Sequence, residues 1–419
     1  MDPRGRCTSH TARTARALRI WPLVTPLENI KRRPLWAEIS RRRLLGNYQK
    51  LRAAVGSEAE LIAVVKANAY GHDLIKCAPL LAKAGALWLG VTDAQEGAAV
   101  RAVCPQSRIL LMSGIFPGEG DTVIDQALTP VVWEPWQLEM LEGAARARHM
   151  PPGSLPVHLE IDTGMARQGV RGALGSVLPG FHSGSCLRLE GVMTHFCAPE
   201  SFSSTRPNPQ LAGLQAGLDS ILAHGLRPEW LHAGNSSTIL AGPDRQALIA
   251  MAAGAGVRLM LRPGLALFGY LDRFTLDSLS WETEVEFAPV LAWKTQVTSL
   301  RTLQAGETAG YGNTFVAPRK TRLALLPVGY ADGLNRLLSN RGQVLIHGQK
   351  APIAGRISMD QTVVDVTDIS QAAIGDEAVL LGNQGDQAIT AWDLADLTST
   401  IPWEVLCAIG PRVPRLVVD

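Results

Sequence analysis

Eight short apolar runs, separated by amphipathic stretches, fill residues 61–268 and constrain the fold more than any other feature of this 419-residue chain. They are Leu61–Ala67, Ala86–Val91, Arg108–Met112, Thr129–Val132, Val157–Ile161, Gly191–Thr194, Trp230–Ala233 and Gly264–Phe268. Each is brief, rich in aliphatic residues and nearly unbroken by polar ones, as strands buried on both faces are. Helical spacing is clearest at Leu74–Lys83, Asp93–Val103, Pro135–Arg148 and Pro209–His224, and weakest across the Gly- and Ser-rich residues 165–186. Strands alternating with helices in this way predict a (β/α)8 barrel of the TIM type, an α/β fold that carries its chemistry at the carboxyl ends of the strands.

Near Thr275 the texture changes to alternating β-rich runs. They are punctuated by turn signals at Gln304-Ala305-Gly306, Ala331-Asp332-Gly333, His347-Gly348 and Gly382-Asn383. That pattern predicts a mainly antiparallel β domain with one helix opened by Thr390. Upstream, Met1 to Arg33 is rich in Arg, Ser and Thr and lacks the apolar core and cleavage site of a secretory signal, so it reads as a dispensable tail. The expected organisation is a tail over 1–34, a barrel over 35–274 and a β domain over 275–419. Forty basic residues nearly cancel 38 acidic ones, a balance that suits neither nucleic acid nor a membrane surface. No apolar run reaches membrane-spanning length. The six cysteines are scattered without a CxxC pair, which suggests buried thiols in a reducing cytoplasm rather than a disulfide frame or a metal site.

The most informative stretch is Ala63-Val64-Val65-Lys66-Ala67-Asn68-Ala69-Tyr70-Gly71-His72. An amine at the end of a buried strand is well placed to form a Schiff base with a carbonyl cofactor. A lone lysine there is more often one whose stem packs while its head reaches water. Other polar groups, however, fall at the ends of the other predicted strands: Asp162-Thr163-Gly164-Met165-Ala166-Arg167, Thr194-His195, and His232-Ala233-Gly234-Asn235-Ser236-Ser237. Arg262-Pro263-Gly264 precedes the last run. Singly each has a structural explanation, a helix cap for Asn235 or a packed imidazole for His195. Gathered on one rim they suggest a site.

These motifs, followed by Ala309-Gly310-Tyr311-Gly312-Asn313-Thr314, Val328-Gly329-Tyr330-Ala331-Asp332-Gly333 and Gly355-Arg356-Ile357-Ser358-Met359-Asp360, resemble the motif series of the alanine racemases. Those are fold-type III enzymes dependent on pyridoxal 5'-phosphate. The resemblance runs from about Leu35 to the carboxyl terminus and implies a cytoplasmic homodimer with shared active sites that interconverts L- and D-alanine for peptidoglycan. It implies that Lys66 holds the cofactor and acts as one base, while Tyr311 reaches in from the other subunit as the second. His195 stacks on the cofactor ring, and Arg262, supported by His232, meets its pyridine nitrogen. Tyr70, Asn235, Ser236 and the amides of Gly264 and Leu265 take the phosphate end. Arg167 and the amide of Met359 hold the substrate carboxylate, with Asp360 close by and Tyr330 at the mouth.

Two positions depart from the family pattern. Glu160 stands where many members have a carbamylated lysine, and a glutamate there is expected to orient Arg167. Pro411 stands where some have a tyrosine on the phosphate. A racemase for a larger amino acid, a decarboxylase of the same fold, and a cofactor carrier without turnover are the alternatives. An arginine rather than a carboxylate for the pyridine nitrogen disfavours the decarboxylase, and the second domain with Tyr311 disfavours the carrier.

Overall fold

The eight-membered run of strands closes on itself. A computed structural model describes residues 33–197, 208–241, 243–272 and 286–419. The expected tail, apart from Arg33 and Pro34, lies outside these residues, as does the expected start of the second domain at Thr275. Strand β1 (Leu35–Ser40) precedes a closed parallel barrel made of β2 (Glu60–Val64), β3 (Trp88–Val91), β4 (Arg108–Leu111), β5 (Thr129–Val132), β6 (Leu155–Glu160), β7 (Leu187–Met193), β8 (Trp230–His232) and β9 (Arg258–Leu261). The helices Leu74–Lys83, Ala94–Val103, Pro135–Ala147 and Pro209–Ala223 fall within a residue or two of expectation. Their starts have local causes. Asp73, Asp93 and Asn208 accept hydrogen bonds from the amides of Lys76, Glu96 and Gln210, satisfying donors that a first helical turn leaves free.

One strand differs from the sequence reading. The eighth barrel strand is Arg258–Leu261, and Leu265–Phe268 is a 3-10 turn closed by Gly269 at φ +89°. Pro263 has no N–H to continue the ladder, so the strand ends at Leu261 and the more conspicuous apolar run that follows turns back. Arg262 therefore follows the last strand instead of preceding it, and stands at the carboxyl end with the other polar groups. In the weak stretch 165–186 the chain forms only two short 3-10 turns, Leu174–Ser176 and Leu178–Gly180.

The second region is antiparallel β, as expected. Its seven-stranded sheet runs Gln349–Pro352, Gln343–Ile346, Glu377–Gln384, Leu291–Gln296, β1 and Arg415–Val418, with Gln387–Ile389 paired to Glu377–Gln384. Thus β1 precedes the barrel in sequence yet pairs in this sheet, antiparallel to Leu291–Gln296 and parallel to Arg415–Val418. A three-stranded sheet (Ser299–Leu303, Thr321–Leu326, Thr362–Asp365) and a small hairpin of Thr308–Ala309 with Phe315–Val316 complete it. Thr390 caps the helix Ala391–Thr398, and a further helix, Pro402–Cys407, was not expected. Among the described residues no helix is long and apolar enough to cross a membrane.

Candidate active site

The lysine motif does not continue its strand. β2 ends at Val64, and after Lys66 the residues Ala67, Asn68 and Ala69 take φ and ψ near +50°, with Tyr70 at φ +52° and Gly71 at φ +79°. This is one turn of left-handed helix built almost entirely from residues with a Cβ. Each such residue costs about 1–2 kcal/mol, so the turn persists only because its surroundings fix it. Glu96 accepts from the Asn68 amide at 2.9 Å, and the Asn68 side chain accepts from the Leu74 amide at 2.8 Å. Arg415, on the last strand of the β region, donates to the Gly71 carbonyl at 3.0 Å. A Cβ on Gly71 would lie 2.2 Å from the Leu406 carbonyl oxygen, so the Pro402–Cys407 helix rests on backbone that only glycine can offer.

The turn carries Lys66 into a cavity of about 350 Å³ at the carboxyl end of the barrel. Lys66, Tyr70, His195, Asn235, Ser236, Arg262, Gly264 and Leu265, all expected from the sequence, line it together. Burial, reinforced by the charges of Arg167 and Arg262, lowers the pKa of Lys66, which favours the neutral amine that covalent and base chemistry need. Arg262 is buried. One of its terminal nitrogens donates to His232 Nδ1 at 3.2 Å, and the other to the Thr194 carbonyl at 2.8 Å and His195 Nδ1 at 3.1 Å. Burial brings its pKa down to about 10, so the guanidinium keeps its charge at neutral pH. An arginine can only donate, so His195 Nδ1 is an acceptor. Burial and the nearby Arg262, Arg167 and Lys66 charges push the His195 pKa down to about 3, and its proton therefore sits on Nε2. Asn235 caps the next helix, its side chain accepting from the Ser237 amide at 3.0 Å. The amides of Gly264 and Ala266 both point at Ser236 Oγ, at 3.3 Å each.

Glu160 and Arg167 follow the expectation only in part. Glu160 is buried at the end of β6, but the partner of its carboxylate is the amide of Gln168 at 2.5 Å, which also donates to the Met112 carbonyl at 2.9 Å. Burial raises the Glu160 pKa, with Gln168, Arg262 and Arg167 pulling the other way. Arg167 is exposed and acts on Glu160, Lys66 and His195 through its charge. The sequence reading missed the wall that the second region supplies. Trp403 and Cys407 line the cavity, whereas Pro411 does not; both lining residues sit on the helix that was not expected.

Four expected residues lie elsewhere. Tyr311, Tyr330, Met359 and Asp360 belong to the β region, and none of them lines the cavity. Tyr311, at the tip of the small hairpin between Gly310 and Gly312 in left-handed conformations, is 70% exposed. The Tyr330 and Ala331 amides donate to the carbonyls of Ser358 and Met359, which sets Tyr330 beside the Met359 segment. Asp360 accepts from Arg412 at 2.6 Å.

Residues 39–272 match the family described as alanine racemase, N-terminal domain, and residues 290–417 match alanine racemase, C-terminal domain. The chain belongs to the alanine racemase family. Membership makes it an amino-acid racemase that depends on pyridoxal phosphate. It is 36% identical over 390 residues to the alanine racemase of Halothermothrix orenii, covering 91% of this chain and 96% of that one. Among solved structures, the alanine racemase of the D-cycloserine producer Streptomyces lavendulae superposes with a TM-score of 0.81 at 32% identity, over 93% of this chain and 98% of that one. The Bartonella henselae alanine racemase, solved with covalently bound pyridoxal phosphate, does so with a TM-score of 0.74 at 28% identity, over 92% and 99%.

The residues present fit that cofactor. Arg262 Nε is buried and has no hydrogen-bond partner among the described residues. Arg262 lines the cavity, and an unpartnered buried N–H on it fits a cofactor whose ring nitrogen can only accept. At the other end, a Cβ on Gly264 would stand 2.3 Å from the Tyr70 hydroxyl. Glycine there leaves room beside Tyr70 and Ser236, a cradle suited to phosphate oxygens.

Proposed function

We propose that this racemase interconverts L- and D-alanine by a two-base mechanism, with Lys66 on one face of the substrate's Cα and Tyr311 of the partner subunit on the other. The observation that carries the reading is the split between a nearly complete cavity and an exposed phenol. Lys66 and Arg262, whose buried Nε–H has no partner among the described residues, line one cavity, while Tyr311 projects into solvent from another part of the same chain. Inverting a carbon requires a proton acceptor on one face and a donor on the other, and a second copy of the chain supplies the missing one. Shared sites of that kind imply a homodimer, placed here in the cytoplasm and supplying D-alanine for peptidoglycan.

Bound pyridoxal phosphate supplies an electron-withdrawing ring that acidifies the Cα–H of the amino acid attached to it. The chain does the rest. Lys66, its pKa lowered by burial and two arginines, anchors the cofactor and then takes or returns the proton at Nζ. Arg262 donates to the ring nitrogen without giving up a proton, which keeps the ring a moderate electron acceptor and favours prompt return of the proton to carbon. His195, its Nδ1 occupied by Arg262, keeps an Nε2–H that can donate to the phenolic oxygen of Tyr311 of the partner subunit and ease its ionisation. Tyr70, Ser236 and the amides of Gly264 and Leu265 hold the phosphate, with Asn235 fixing the start of the Ser236 helix. Arg167 pairs with the substrate carboxylate, aided by the amide of Met359 of the partner subunit.

The test is exchange of the Cα hydrogen of alanine in deuterium oxide, alongside chiral analysis over a panel of amino acids. Lys66→Ala is expected to abolish both exchange and racemisation and to remove the visible absorbance of the attached cofactor. Retention of either activity by that variant would overturn the assignment.

A further inference from the structure

A chain of buried polar side chains runs from the floor of the barrel to Arg262. At the floor, Arg108 lies over the Trp88 ring at 4.1 Å and Arg258 over the Trp230 ring at 3.7 Å. Glu190, on β7 and 1% exposed, accepts from Arg108 at 2.6 Å and from Arg188 at 2.8 Å. Its third partner is His158 on β6, with Nε2 at 3.3 Å. His158 Nδ1 lies 2.8 Å from His232 Nε2, and His232 Nδ1 lies 3.2 Å from Arg262. The backbone makes room for this arrangement. The pairing of β6 with β7 shifts register between Val157 and His158, and a bulge of that kind re-aims a side chain. Across the strand pair is Gly191, where a Cβ would stand 2.5 Å from the His158 ring.

The ends of this series fix its sense. A carboxylate held by two guanidinium groups is ionised and can only accept. His158 must therefore present Nε2–H to Glu190. Burial keeps both imidazoles neutral, and a neutral imidazole has one N–H, so His158 Nδ1 accepts and His232 Nε2 donates to it. His232 Nδ1 is then a lone pair facing Arg262. Every hydrogen bond points from Arg262 toward Glu190. Were the proton of His232 on Nδ1, it would confront an Arg262 N–H, two donors face to face.

We propose that Glu190 and His158, neither of which lines the cavity, are positioning residues of the active site: acting through His232, they fix the direction of the hydrogen bonds at Arg262 and so hold its free N–H on the cofactor's ring nitrogen. Only the last step, from Arg262 to the ring nitrogen, rests on the function proposed above. The part concerning the imidazoles stands apart from it.

The experiment uses the full chain labelled with 15N-histidine, with and without pyridoxal phosphate, and reads the histidine tautomers by NMR. In the wild type both His158 and His232 are expected neutral with the proton on Nε2. In Glu190→Gln, whose amide can rotate to offer either a donor or an acceptor, a second population with Nδ1–H is expected at His158 or His232. The same variant is expected to shift the visible absorbance band of the bound cofactor and weaken cofactor binding about tenfold, with little change in the thermal midpoint. His158→Phe, which cuts the series by another route, should move the cofactor signals the same way. An Nδ1-protonated or charged His158 or His232 in the wild type would overturn the proposal. So would Glu190→Gln and His158→Phe proteins that lose stability while holding the cofactor with unchanged spectrum and affinity, since that is what a mere barrel filling would do. A wild type that holds the cofactor but racemises nothing would count against the proposed function and leave the tautomer result standing.

Discussion

The barrel and the β region meet the task of building a site in opposite ways. In the barrel Lys66 and Arg262 are held in place by their surroundings. Lys66 sits on a left-handed turn tied by Glu96 and Arg415, and Arg262 is buried with three hydrogen-bond contacts to its terminal nitrogens. In the β region Tyr311 stands on a hairpin tip, 70% exposed and outside the cavity. On the proposed function, one chain preorganises the half that would hold the cofactor and leaves Tyr311 to be brought in by a second copy.

Complementation tests this division of labour most severely. Lys66→Ala and Tyr311→Phe should each lower racemisation by about 10²-fold or more. Mixed and allowed to exchange subunits, the two inactive proteins should regain roughly a quarter of wild-type activity, because half of the dimers are mixed and each mixed dimer rebuilds one intact site of two. No recovery after exchange has been verified would mean that Tyr311 serves the Lys66 of its own chain. A smaller effect is expected from Gly71→Ala, which places a Cβ against the Leu406 carbonyl at a φ that L-residues avoid. It should destabilise the folded chain by roughly 2–3 kcal/mol, and urea denaturation would measure it; an unchanged midpoint would mean that the turn is not held rigidly.

A further prediction concerns pH. Burial lowers His72 to about 4 and, with neighbouring cations, His195 to about 3, against about 6.5 in an unfolded chain. Between those values the unfolded state binds more protons, so stability falls as pH falls from 6.5, by roughly 1 kcal/mol per pH unit for each such imidazole. Thermal midpoints of the cofactor-free protein that stay level from pH 7 to 5 would show that these imidazoles do not stay neutral in the fold.

How legible was this in the sequence? The barrel was, because strands buried on two faces announce themselves as aliphatic runs and the helices between them carry their own caps. The eighth strand was misplaced because Leu265–Phe268 is more apolar than Arg258–Leu261, and only the missing N–H of Pro263 tells them apart. The left-handed turn left almost no trace, since among Ala67, Asn68, Ala69 and Tyr70 only asparagine favours that conformation. The residues around Lys66 and Arg262 were legible as motifs at strand ends. Trp403 and Cys407 were not, because their presence depends on the second region folding back onto the first. His158 was invisible as well: a bulge and a contact with His232 across 74 residues of chain have no local signature.

β1 has a consequence for biogenesis. It leaves the ribosome ahead of the whole barrel, yet its two neighbours, Leu291–Gln296 and Arg415–Val418, are made after it. The bond between Ser40 and Asp419 closes a loop of 379 residues. The large sheet is therefore assembled only after synthesis of nearly the entire polypeptide, while the barrel between its strands can form earlier. Because Arg415 on the final strand also donates to the Gly71 carbonyl, the turn that carries Lys66 gains its last tie only when the end of the chain is in place.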